Sequence, residues 1–323
     1  MRLSRRTTDE PGAEAEGGTF EVPAPTHAPG ELPTLGVITM ARDEGSMLRR
    51  WVEHYAAQVG AEHVLVIDDN SSDGSTDDLP CPVIKIPYLR KSGFEPSRMG
   101  LVGGVSAGLL QAYDAVLFCD ADEFVVADPK RHESLRHFVA DRPGRPAVGV
   151  LGLNVVHDVS REAALRDDEP ILGQRRLAKF LPLMCKPSLK WVPADWAHAS
   201  HGILCPFEVD PDLFMFHMKF SDRAHLDAAA ARRHHLNQTE GRAAGTSWAR
   251  PADEMVALLD EIATAAAAYG DPADVEAFKP RGERLARIVQ RQGPMWRATG
   301  QGQVIAMRER PLVRIPDRFL GLV

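Results

Sequence analysis

Three acids within four residues, Asp120, Asp122 and Glu123, close the apolar run AVLFC of residues 115–119. On a strand, residues i and i+2 face the same side, so Asp120 and Asp122 project together from its end. Two carboxylates about 4 Å apart repel by roughly 4 kcal/mol at an effective dielectric near 20, and something positive must sit beside them. A hard divalent cation, Mn²⁺ or Mg²⁺, answers that need, because such ions are commonly held by one or two carboxylates together with substrate phosphates. A solvated acidic turn, or acids capping a following helix, is the competing reading. A second stretch, VIDDNSSDGSTDD, repeats the pattern: Asp68 and Asp69 end an apolar run and small polar residues able to turn and to bind a ligand follow.

The elements that must position these acids follow from periodicity. LGVITMA reads as a strand from residue 35, and SMLRRWVEHYAAQVG places Met47, Leu48, Trp51, Val52, Tyr55, Ala56 and Val59 at helical spacing, with Ser46 to cap the helix and Gly60 to end it. HVLVIDD and VIKIPY read as strands, SRMGLVGGVSAGLLQAY as a helix whose glycines serve close packing, and AVLFCDAD as a further strand. Alternating strands and helices predict an α/β fold, a mostly parallel sheet flanked by helices, with ligands beyond the carboxyl ends of the strands. AVGVLGLNVV and DLFMFHMKF are later strand candidates, and from Ser221 the chain turns helical and Ala-rich. The division expected is a disordered tail over 1–33, a first α/β half over 34–126, a second half over 127–240 and a helical C-terminal extension over 241–323. Within that extension VEAFKPRGERLARIVQRQ reads as a helix, with a packed face or a partner-protein or membrane-surface contact as its open roles.

DDNSSDGS and DADEF resemble the two signatures of family-2-like glycosyltransferases of the GT-A fold. The turn ARDEGSMLRRWVEHY, with Arg42, Asp43 and Glu44, resembles the DUF23-type, family-92-like branch. The resemblance covers residues 34–126 and, more weakly, the chain to about 240, and it implies that 34–126 is the nucleotide-sugar-binding half and 127–240 the acceptor-binding half. It implies a metal-dependent hexosyltransferase that moves a sugar from a UDP- or GDP-sugar to the hydroxyl of a glycan or lipid-linked acceptor, as in polysaccharide biosynthesis. It further implies that Thr39, Arg42, Glu44, Asp68 and Asp69 hold the base and ribose, and that Asp120 and Asp122 bind ribose and the metal. His217 is then a late metal ligand, and Lys219, two residues on, meets a phosphate, with Arg98 a second candidate for that work. An inverting mechanism requires a carboxylate base. The loop PADWAHASHG offers Asp195, beside Trp196, His198 and His201 as an acceptor site, with Glu208 and Asp158 behind Asp195. The ED and QxxRW motifs of processive synthases are absent.

Composition narrows the rivals. The chain has 323 residues, 44% hydrophobic and 26% charged, which excludes a fibre and a wholly disordered chain. Its 38 basic and 45 acidic residues leave a net charge of -7, against a nucleic-acid binder. Cys81, Cys119, Cys185 and Cys205 are too scattered for a disulfide framework or zinc ribbon, no apolar run is long enough to span a bilayer, and the first residues lack a signal-peptide core. A cytoplasmic protein, at most peripheral at the inner face of a membrane, is expected. No GxGxxG follows the first strand and no GxxxxGK[ST] occurs, against a dinucleotide-binding oxidoreductase and a P-loop NTPase. A nucleotidyltransferase and a catalytically degenerate GT-A scaffold remain as alternatives.

Overall fold

The computed structural model describes residues 21–25, 27–28, 30–89, 93–197, 199–242 and 249–323, with only the backbone of Glu283. The chain begins β1 (Leu35–Ala41), α1 (Ser46–Val59), β2 (Val64–Asp69), β3 (Val83–Ile86), α2 (Phe94–Leu109), β4 (Ala115–Phe118) and β5 (Glu123–Ala127). It continues through α3 (Leu135–Ala140), β6 (Ala147–Val156), α4 (Ile171–Gln174), β7 (Leu177–Phe180), β8 (Leu189–Lys190), β9 (Trp196–Ala197), β10 (Gly202–Ile203) and β11 (Glu208–Phe220). It ends with α5 (Arg223–Glu240), α6 (Ala252–Ala267), α7 (Gly282–Leu285), β12 (Val289–Gln292), β13 (Met295–Ala298), α8 (Gln303–Glu309) and β14 (Leu312–Arg314). Most of the tail expected over 1–33 lies outside the described residues.

β3, β2, β1 and β4 are neighbours and run parallel. The apolar runs of β1, β2 and β4 follow from that arrangement, since an inner parallel strand is covered on both faces; every residue of β1 and of β4 is buried, whereas β3 lies at the sheet edge and is partly exposed. α1 buries Met47, Leu48, Trp51, Val52, Tyr55 and Val59 on one stripe, as the spacing predicts, and ends at Gly60. Its N-cap is Gly45, with φ 57°, and not Ser46, which is already helical. Gly45 takes the left-handed turn that a side chain resists, and its N–H donates to Asp73 Oδ2 at 3.0 Å, which ties the start of α1 to the acidic loop after β2.

Beyond β4 the sheet is mixed. β8 is antiparallel to β4 and β6, β11 runs parallel to β6, and β5 is antiparallel to β11. The expected boundary near residue 126 therefore falls inside one continuous ten-stranded sheet. Gly152 on β6 is required by close approach: a Cβ there would lie 2.4 Å from the Cβ of Met184 and 2.5 Å from its carbonyl oxygen. Among the α2 glycines, Gly103 does serve close packing, with Asp195 Oδ1 2.8 Å from where its Cβ would be, whereas Gly100, Gly104 and Gly108 have open space there.

The C-terminal stretch is more than helical. α6 packs on α5, but β14 joins the main sheet beside β7, and β12 and β13 form a second sheet with β10 and β9. The helix expected over VEAFKPRGERLARIVQRQ is not formed. Pro280 and Gly282 interrupt it, α7 is one turn long, and Val289–Gln292 pairs with β13 across a turn at Gly293, φ 62°. Among the described residues no helix is long and apolar enough to cross a membrane.

Candidate active site

The parallel strands deliver their carboxyl ends to one edge, and a cavity of about 200 Å³ opens there. Arg42 and Glu44 come from the turn after β1, Asp69 from the end of β2, and Asp120, Asp122 and Glu123 from the turn between β4 and β5. β11 adds His217 and Lys219, two residues apart and therefore on one face. α2 and α5 close the sides with Arg98 and with Arg232 and Arg233.

The acidic turn is braced from several directions. Glu123 N–H donates to Asp120 O at 2.9 Å, Met218 N–H donates to Asp122 O at 2.8 Å, and Asp120 N–H donates to Glu123 Oε2 at 3.2 Å. From α1, the Tyr55 hydroxyl accepts from Val125 N at 2.7 Å and donates to Glu123 O at 3.2 Å. The acids nonetheless point to different partners. Asp120 is paired with Arg98 and, at 3.1 Å, with Lys186, and the Lys186 ammonium also lies 2.6 Å from Glu123. Asp122 faces His217 Nε2 at 3.5 Å and Arg233 at 3.4 Å.

Electrostatics follows this division. Burial would raise the Asp120 carboxyl, but Arg98 and Lys186 outweigh it and hold it below the ordinary carboxylate range. Burial is likewise overcome at Asp122, chiefly by His217 and then Arg233, so that this carboxyl is strongly acidic. Glu123 and Glu44 are raised, because burial prevails over Lys186 in the first and over Arg233 in the second. Burial, with Arg233 nearby, lowers Lys219 to about 7.

The three metal ligands expected from the sequence, Asp120, Asp122 and His217, are not gathered into one set. Among the described residues no three His, Cys, Asp or Glu side chains are grouped to hold an ion. Arg98 and Lys186 draw Asp120 aside, which leaves Asp122 and His217 as the converging pair. Their donor chemistry fits a divalent cation. His217 Nδ1 donates to Asn154 Oδ1 at 2.7 Å, which turns Nε2 toward Asp122, as in metal sites whose second ring nitrogen is held by a carbonyl.

Several other expected residues lie elsewhere. Thr39 is buried within β1, its hydroxyl without a partner, and does not line the cavity. Asp68 faces away from Asp69 and stabilises its own loop, accepting from Ser71 N at 2.8 Å and Thr76 Oγ1 at 2.9 Å. Asp195, the expected base, is exposed against Gly103 of α2 and does not line the cavity. Glu208 is exposed and paired with Arg145, and Asp158 is buried against Arg161. Trp196 cannot stack on a sugar: its Nε1 donates to Pro187 O at 2.6 Å, and Lys190 covers its ring at 3.8 Å. His201 Nδ1 donates to Leu183 O at 2.9 Å, and His198 lies outside the described residues.

Lys186, Asn154, Arg232, Arg233, Arg242 and Gln303 belong to the site or its support and were not singled out in the sequence. Asn154 carried a signal, as a lone amide within the fully buried run of β6. The adjacent arginines in AAAARRHH, charged residues on an otherwise small-residue helix, carried another. Gln303 on α8 donates to Asn154 Oδ1 at 3.4 Å and accepts from Lys219 Nζ at 3.1 Å, so the C-terminal stretch completes the cavity.

No family model matches the chain, and no curated protein matches it. Solved structures align weakly. Glucosyl-3-phosphoglycerate synthase from Mycobacterium tuberculosis, in complex with uridine diphosphate, is 15% identical over 43% of this chain and 54% of its own, with a TM-score of 0.28. Mannose-1-phosphate geranyltransferase from Thermus thermophilus is 15% identical over 70% of this chain and 68% of its own, TM-score 0.27. A CMP:2-keto-3-deoxy-manno-octonic acid synthetase complexed with CTP is 13% identical over 50% and 65%, TM-score 0.26. The chain thus spans about half the length of the synthase. Likeness at this level transfers neither an activity nor a residue role.

Proposed function

We propose that the protein is a glycosyltransferase of GT-A type, transferring a sugar from a nucleoside-diphosphate donor to an acceptor hydroxyl. The observation that carries this reading is the convergence of Asp69 from the end of β2, Asp120 and Asp122 from the turn after β4, and His217 from β11 on one cavity that Arg98, Lys186, Lys219, Arg232 and Arg233 also line. Breaking a sugar–phosphate bond leaves a diphosphate on which negative charge develops, and prearranged cations stabilise that charge. Arg98, Lys186, Lys219, Arg232 and Arg233, which line the cavity, would do so, and the pairs Arg98–Asp120 and Arg233–Asp122 would hold two of them in position before the donor arrives. Asp122 and His217 would hold Mn²⁺ or Mg²⁺, which when bound supplies further charge neutralisation at the diphosphate. Asp69, with Arg42 and Glu44, lines the side of the cavity where base and ribose would lie. The acceptor, a glycan or a lipid-linked sugar, would approach the remaining open side.

Calorimetric titration with UDP and GDP, each with and without Mn²⁺, tests the reading together with Asp122→Ala. We expect binding of a nucleotide that strengthens with the metal. In Asp122→Ala that strengthening should vanish and transfer should fall about a hundredfold or more, with the far-UV spectrum unchanged. A folded parent protein that binds neither nucleotide would show the cavity to be a relic on a scaffold.

A further inference from the structure

On the wall of the cavity next to β2, Arg242 fills a slot between two rings. Its guanidinium carbon lies 5.1 Å from the centre of Tyr88 and 4.7 Å from that of Phe94. Nη1 donates to Asp69 Oδ2, and Nε donates to Glu240 Oε2 at 2.5 Å. Glu240 is in turn paired with Arg42 at 3.3 Å. Arg242 and Asp69 are only 3% and 2% exposed, yet their fit is incomplete: Arg242 Nη2 and Asp69 Oδ1 are both buried without a hydrogen-bond partner. An orphaned donor and an orphaned acceptor at one contact mark a place where the side chain does not supply the full complement the slot can take.

We propose that this slot receives the base of the donor nucleotide, that Arg242 occupies it in the unliganded chain, and that its chemistry selects guanine. The inference rests on the transferase reading above and names the donor within it. What the slot holds now is flat, bears N–H donors along one edge, lies against two aromatic rings and meets a carboxylate. Guanine presents the same array, N1–H beside the exocyclic N2 amino group on one edge of a flat ring, with a larger face to stack. Paired with both oxygens of Asp69, it gives Oδ1 the donor it lacks. Uracil offers one N–H flanked by two carbonyl oxygens, which would face the carboxylate oxygens. Adenine and cytosine set an acceptor nitrogen beside their amino group. Each leaves a buried polar group opposed or unpaired, a defect that costs about tenfold or more in affinity. Displaced from the slot, Arg242 no longer neutralises Asp69, so its departure subtracts from the affinity of every nucleotide.

The test is calorimetric titration of the full chain with GDP, UDP, ADP and CDP under one set of conditions, repeated with Arg242→Gln and Asp69→Asn. GDP should bind about tenfold or more tighter than the others. Arg242→Gln, a weaker competitor for the slot, should bind GDP about three- to tenfold tighter than the parent. In Asp69→Asn the advantage of GDP should disappear. UDP binding as tightly as GDP to the parent, or Arg242→Gln weakening every nucleotide alike, overturns the inference and leaves the transferase reading standing. Absence of all nucleotide binding by the folded parent overturns both. The parent comparison decides the base preference without any variant, so a variant that fails to fold does not shield the idea.

Discussion

Lys186 shows how a single side chain settles the geometry of the acidic turn. It is 3% exposed, and its ammonium is the cation nearest to Glu123, which is fully buried, while it shares Asp120 with Arg98. Lys186→Met keeps the volume and removes the charge, leaving Glu123 without a close cation, and we expect a loss of about 3–5 kcal/mol in urea unfolding at pH 7. A variant as stable as the parent would mean that Glu123 is not ionised there, since a neutral carboxyl would not miss its partner. The acids were legible in the sequence because three of them end an apolar run, but their directions were not. Asp120 and Asp122 were expected to share an ion on the strength of period-2 alternation, and that rule holds only while the strand continues. Here β4 stops at Phe118, the next residues turn, and Arg98 and Lys186, from segments 22 and 66 residues away, decide where Asp120 points. Asp195 was less legible for a related reason: a loop acid beside Trp and His looks like an acceptor site in one dimension, whereas in the fold it packs against Gly103 of α2 and does not line the cavity.

At the scale of elements, the best-read parts are those whose partners lie close in sequence or whose burial is complete. β1, α1, β2 and β4 could be read from period alone because both faces of the parallel strands are covered and α1 has one wet side. The C-terminal stretch was misread where its charge and Leu–Ile spacing imitated an amphipathic helix, since pairing with β13, which no local pattern announces, outweighs a helix already broken by Pro280 and Gly282. α5 carries Arg232 and Arg233 to the cavity, and its start depends on Asp222. That carboxylate accepts from Ala224 N and His225 N at 3.0 Å each through Oδ1, and from Leu165 N at 2.9 Å through Oδ2, with Arg175 Nη2 at 3.4 Å. Asp222→Ala should cost about 2 kcal/mol, the upper range for a lost cap, while Asp222→Asn, which keeps an acceptor, should cost less. Burial raises this carboxyl, but the bonds from His225 and Leu165 outweigh it and leave it below the ordinary value. The contribution is therefore complete above the unfolded value near 4 and is lost as the pH falls through the folded one. Chemical denaturation of both variants at pH 7 and at pH 3 checks this: the gap between parent and Asp222→Ala should narrow in acid, and an equal gap at both would show that the cap does not act through its charge.

For the whole molecule, histidines lowered by burial contribute to the response to mild acid, His225 on α5 and three more packed into other parts of the fold. His54 on α1 bonds Val125 O of β5 at 3.0 Å, His157 follows β6, and His201 lies in the loop before β10. Burial lowers all three, His201 to about 3. His157 is locked neutral by its two contacts, since Nε2 donates to Glu162 O at 3.0 Å while Nδ1 accepts from Arg223 N at 3.1 Å, the first residue of α5. A proton on Nδ1 would break that second bond and disturb the helix that brings Arg232 and Arg233 to the cavity. Because the folded values lie below the unfolded one near 6.5, the unfolded chain binds more protons at every pH beneath it. Stability then falls as the pH drops through 6.5, by at most about 1.4 kcal/mol per pH unit for each histidine. Across the window from pH 7.5 to 5 Lys219, lowered by burial to about 7, adds to this fall and Glu44 and Glu123, raised by burial, oppose it, so the histidine share is read from variants. We expect the free energy of unfolding in urea to drop by about 2 kcal/mol or more across that window, and the drop to shrink in His157→Gln, which keeps an amide donor and an acceptor but cannot take the proton. A drop as large in His157→Gln as in the parent would mean that the His157 ring is as easily protonated in the folded chain as in the unfolded one.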